Sequence, residues 1–294
     1  MTLRNLWVLL LGVPGSAHSL GAQAPGTDIY LATLSRSGDR LRVGSPVNLT
    51  ARAGYDNQPS FSPDGRSIYY TSARDGQTDI YRHDIAPGRS QPVTATPESE
   101  YSPTVTPDRG RLSVIRVERD STQRLWSFAL DGGSPRLLLD SIKPVGYHVW
   151  LNADTLFVFV LGTPATLRRA ELASGRAEIV ARDIGRTLLL IPGRHAISYL
   201  QRDSSGGWIR SLDPVSGAGE NLARLPQANE FYAWTPQGDL LSARGNRLLR
   251  WQGGPQAWET VMEFAEPGLQ KITRLAVSPQ GDRIALVGED AAKP

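Results

Sequence analysis

The chain has 294 residues, with 32 Lys and Arg against 29 Asp and Glu, a net charge of +3 and no cysteine. That balance, without a Lys/Arg block or an aromatic-interleaved basic stripe, gives no case for nucleic acid. The missing cysteines exclude disulfides, thiolate metal sites, catalytic thiols and a lipidated cysteine.

Residues 1–24 are predicted to be an export signal. Arg4 supplies the basic start, 6–11 the apolar run, and Ala17-His18-Ser19 or Leu20-Gly21-Ala22 the small residues for cleavage. The run is too short to span a bilayer, so no membrane span is expected. An exported chain without disulfides fits a periplasmic or secreted bacterial protein.

From residue 27 onward the sequence reads as short strands separated by turns. Asp28-Ile29-Tyr30 opens a strand, and Pro46-Val47-Asn48-Leu49-Thr50 gives another. The clearest stretch is 57–85. There Ser62-Pro63-Asp64-Gly65 and Ala73-Arg74-Asp75-Gly76 form tight turns around Ile68-Tyr69-Tyr70-Thr71, and Asp79-Ile80-Tyr81 follows. Aspartate before glycine is explained by side-chain capping of the turn amides, and no Asp-x-Asp-x-Asp spacing suggests calcium.

This unit repeats. The first apolar residue after the turn recurs as Ile68, Leu112, Leu156, Ile197, Leu240 and Ile284, in steps of 44, 44, 41, 43 and 44 residues. The period suits a four-stranded propeller blade. The turn itself decays in the third copy to Asn152-Ala153-Asp154. The string from Pro59 to Tyr81, with Phe61-Ser62-Pro63-Asp64-Gly65-Arg66 at its centre, resembles the WD40-like (PD40) repeat of the TolB-type β-propellers. That resemblance implies a propeller, export to the periplasm and use of the funnel face for binding a partner protein.

The ends of the chain complement each other. Asp28-Ile29-Tyr30 matches the third-strand Asp79-Ile80-Tyr81, whereas 274–278 and 283–287 read as a first and a second strand with nothing after them. The expected fold is all-β: one domain at 27–290, a six-bladed propeller of four-stranded antiparallel blades. The N-terminal strands complete the C-terminal blade and hide otherwise exposed edges.

In a propeller, the loops from fourth to first strand and from second to third strand crowd one face. They place Tyr55, Asp56, Arg74, Glu100, Tyr101, Tyr147, His148, Glu230 and Tyr232 around the channel mouth. The tyrosines are candidate anchors for a protein or peptide partner, with Asp56, Arg74 and Glu100 setting polarity. The first-strand segments at 60–62, 102–106, 149–151 and 275–278 carry no acid, and no His pair has metal-ligand spacing. The reading is therefore an exported, monomeric, non-catalytic binding module with no cofactor and no metal. The alternative is a carbohydrate-active or hydrolytic propeller with a shallow site of His148, Glu230 and Asp120.

Overall fold

Strands of this length bury too little on their own and need neighbours on both faces. In the computed structural model they stack as six antiparallel sheets. Residues 26–204, 206–226, 229–254 and 257–289 are described, so the expected export signal at 1–24 and the expected domain end at 290 lie outside them.

Five sheets are consecutive in sequence, at 56–92, 99–137, 145–182, 184–224 and 232–263; we number these blades 1 to 5. Blade 6 joins the two ends of the described chain. Strands Ile272–Val277 and Arg283–Glu289 are followed in space by Thr27–Ser37, in register from Thr27 opposite Glu289 to Thr33 opposite Arg283. Val47–Asn48 pairs with the other edge of Thr27–Ser37 as the expected outer strand. A further hairpin strand, Arg40–Val43, also pairs there and was not legible in the sequence.

The second strand of a blade is covered on both faces, which is why it reads as an unbroken apolar run. Thr155–Val160 is buried at every position. Leu156, Val158 and Val160 pack towards blade 2 with Ile115 and Leu125, while Phe157 and Phe159 pack towards blade 4 with Ile184, Ile197 and Tyr199.

The repeated turn is a hydrogen-bonded device. Asp64 Oδ1 accepts from Ser62 Oγ at 2.7 Å and from the Arg66 amide at 3.0 Å, and Asp108 does the same with Thr106 and Gly110. In blade 3 the apparent decay is a substitution of parts. Asn152 Oδ1 accepts from the amides of Asp154 and Thr155 at 2.9 and 2.8 Å, and blades 3 and 4 are regular four-stranded sheets.

Candidate functional site

The innermost strands of five blades share a local irregularity. Pairing slips between Asn57 and Ser60, Tyr101 and Thr104, Val145 and Tyr147, Ile184 and Leu188, and Ile272 and Arg274. A bulge here bends the strand and re-aims the side chains beside it. At two of these sites a non-glycine residue takes the left-handed conformation, Gln58 at φ 57° and Ser102 at φ 54°. The two are tied together, because Gln58 Oε1 accepts from the Ser102 amide at 2.7 Å and from Thr71 Oγ1 at 2.7 Å.

These bulged segments surround a central channel of about 530 Å³. Its lining is mainly apolar towards the far end, with Leu190, Val277 and Pro279 among others. The charged side chains in the lining are Arg186 and Arg274, and none of the described lining residues is acidic. Arg274 sits 3.9 Å from the ring centre of Phe231 and 5.4 Å from that of Tyr147, and Nη2 donates to the Tyr147 hydroxyl at 3.4 Å. No carboxylate lies within 4.0 Å of its guanidinium among the described residues. Arg186 is paired with Glu230 at 3.5 Å, and the same carboxylate also takes Arg202.

The electrostatics follow from this geometry. Burial pushes the Tyr147 phenol up, but the positive charges of Arg274 and Arg186 outweigh it and leave the phenol below its ordinary value. At Tyr55, burial prevails over Arg274 and the phenol is raised. Replacing Arg274 with glutamine should therefore raise the Tyr147 pKa. The difference in tyrosinate absorbance against a Tyr147→Phe control measures it, and an unchanged titration would disprove that field.

The expected site residues divide. Tyr55, Tyr101 and Tyr147 are half-buried and Arg74 is exposed, stacked 4.0 Å over Tyr81. His148 is 8 % exposed; its Nε2 meets Ser113 Oγ at 2.7 Å, and burial pushes its pKa down to about 4, leaving a neutral ring. Three expectations are corrected by burial. Asp56 and Glu100 are both 0 % exposed, enclosed with Arg52 at 2.9 Å and Arg116 at 3.2 Å, so they are paired internally and present no charge to a partner. Tyr232 is 2 % exposed and sits in the core between blades 4 and 5 with Ile209 and Leu240.

The alternative constellation is also not assembled. His148 lines the channel, whereas Glu230 lines a separate groove with Arg202 and Arg244, and Asp120 lines neither and accepts from its own neighbour's amide, Thr122. No group of three or more His, Asp or Glu is placed to hold a metal among the described residues. Sequence reasoning missed Arg186 and Arg274. They precede Ile197 and Ile284 by 11 and 10 residues, close to the 11 by which Tyr101 precedes Leu112, so repeat offset was the available signal.

A closed ring of six blades, five of four strands and one with a fifth, around an open channel defines a six-bladed β-propeller. Residues 23–145 match the family model described as the TolB beta propeller domain. Over that segment, less than half of its length, the chain is similar to the TolB-type β-propellers. Over 104 residues it is 28% identical to an uncharacterized protein of Agrobacterium fabrum, in a match covering 33% of this chain, and the chain spans only 36% of that relative's length. Among solved structures it resembles a TolB-type protein of Agrobacterium tumefaciens, with TM-score 0.69, 16% identity, and coverage of 91% of this chain and 99% of that one. It also resembles TolB of Acinetobacter baumannii, with TM-score 0.59, 14% identity, and coverage of 89% and 64%. An oligogalacturonate lyase solved with manganese matches with TM-score 0.57, 16% identity, and coverage of 83% and 80%. At these identities the structural likenesses establish the fold. No helix among the described residues is long and apolar enough to cross a membrane.

Proposed function

We propose that this TolB-like propeller is an exported, non-catalytic module that binds a protein or peptide segment at the channel mouth. The observation that carries the reading is the Arg274 guanidinium between Phe231 and Tyr147, a rigid aromatic and cationic surface at the opening of a channel. Half-buried aromatics and arginine are the side chains that concentrate binding energy at protein interfaces, because they bring large contact area with little entropy to lose. The TolB-type family match supports a binding role, and the charged, apolar and small segments within 1–24 support a periplasmic or secreted location.

The lyase likeness supplies the competing reading. It is disfavoured by the lining, where proton transfer would rest on His148, an imidazole enclosed against Ser113 with no carboxylate beside it in the channel. A pull-down from the exported fraction tests the binding reading, with Arg274→Ala, Phe231→Ala as control. The expected result is a discrete protein retained by the wild type and lost by the variant. Equal retention by both would remove function from the channel mouth.

A further inference from the structure

The charge of the channel mouth says what such a segment would carry. Resting on the binding reading above, we propose that the mouth recognises an acidic peptide segment, whose carboxylate sits against Arg274 with Arg186 as the second cation, while an adjacent apolar side chain enters the channel.

The first argument is charge. Arg274 and Arg186 both line the opening, and the Glu230 carboxylate paired with Arg186 is shared with Arg202. Arg274 has aromatic faces and a phenol oxygen as neighbours, and no carboxylate among the described residues. A planar guanidinium held between rings is positioned to take a carboxylate through paired N–H donors, the geometry for which arginine is best suited. The Tyr147 phenol is held below its ordinary value by these same two arginines, which shows their charge reaching the mouth.

The second argument separates a peptide from an acidic sugar. Beyond the arginines the lining turns to Leu188, Leu190, Val149 and Val277. A uronate chain would bring several hydroxyls per sugar against a lining whose polar groups are mainly Gln58, Ser60, Ser102, Thr104 and His148, and any hydroxyl left without a partner is costly to bury. An acidic residue followed by an aliphatic one suits both zones.

The test uses immobilised full-length mature protein and three pools of otherwise randomised hexapeptides, alike except that one fixed position is Glu, Gln or Lys and is followed by Leu. Retention is read by mass spectrometry, and a soluble oligogalacturonide mixture is run in parallel. The expected result is that the Glu pool is enriched at least about tenfold over the Gln pool, the factor corresponding to a single charge-assisted hydrogen bond. Lys should be retained least. The enrichment should fall to near parity in Arg274→Gln, whose melting temperature is checked against wild type, and should shrink with added salt. Equal retention of all three pools would overturn the acidic preference while leaving the binding reading standing. Retention of no pool would overturn both. Retention of the oligogalacturonides alone would replace the peptide with an acidic glycan.

Discussion

Replacing Ile29 with aspartate is expected to unfold the propeller or leave it close to the edge of unfolding. Ile29 lies in the strand that closes the ring, opposite Val287, and is 1% exposed in a cluster with Ile68, Tyr70 and Ala285 from blades 1 and 6. The substitution removes an aliphatic side chain from the core, roughly 2–5 kcal/mol for truncation alone, and adds a carboxylate without a partner. Domains of this kind have only about 5–15 kcal/mol in total, so one such change consumes a large share. Opening the seam would also expose two strand edges to other chains. Urea denaturation and limited proteolysis measure the effect. Val47→Asp is the control, since Val47 belongs to the same blade and is 63% exposed. If both variants unfold at the same urea concentration as wild type, the closing strand does not hold the ring.

The second large effect concerns pH. Burial pushes the Glu100 carboxyl up to about 7, even with Thr96 donating to it at 2.6 Å and the Arg116 guanidinium paired with it at 3.2 Å. Desolvation prevails over the ion pair because the carboxylate is fully enclosed. A folded pKa above the unfolded one means that Glu100 stabilises the fold below about 4.5 and that this contribution is lost as pH rises to about 7. His148 acts in the opposite sense. Its pKa is lowered from 6.5 to about 4 by burial, so its contribution is present above 6.5 and lost as pH falls to about 4. In each case the shift corresponds to about 3 kcal/mol.

Between roughly pH 4.5 and 6.5 the two slopes oppose each other, and the wild type should show a shallow profile there. Glu100→Gln should expose the His148 slope, with stability falling on acidification. His148→Gln should expose the Glu100 slope, with stability falling as pH rises to about 7. Guanidinium titrations at half-unit pH steps measure this, and three parallel profiles would show that neither group titrates as described.

Both residues were expected at the partner-facing surface, and their burial shows where sequence reasoning stops. Repeat spacing places Glu100 and Tyr101 just ahead of a first strand, but one side chain is enclosed with Thr96 and Arg116 while its neighbour stays half-buried beside Ile115 and the channel mouth. Adjacent strand residues point to opposite faces, so a one-residue shift decides between core and surface. The bulges in the inner strands change that count, and no residue pattern marked them in advance.

By itself the sequence determined the propeller. The recurring turn and the apolar second strands specify blades that need each other. The match of Asp28-Ile29-Tyr30 to the third-strand Asp79-Ile80-Tyr81 points to how the ring closes, and in the fold Thr27–Ser37 pairs with Arg283–Glu289. Such signals are local and repeat at a fixed period, so they can be read without coordinates. The cationic channel mouth was decided only by tertiary structure. Arg186 and Arg274 stand 88 positions apart in sequence, and they meet because the blades between them bring every first strand to one axis. Whether Glu100 or Arg274 faces the channel depends on bulge geometry and on which neighbouring blade covers each face. Those are properties of the closed ring, not of any one repeat.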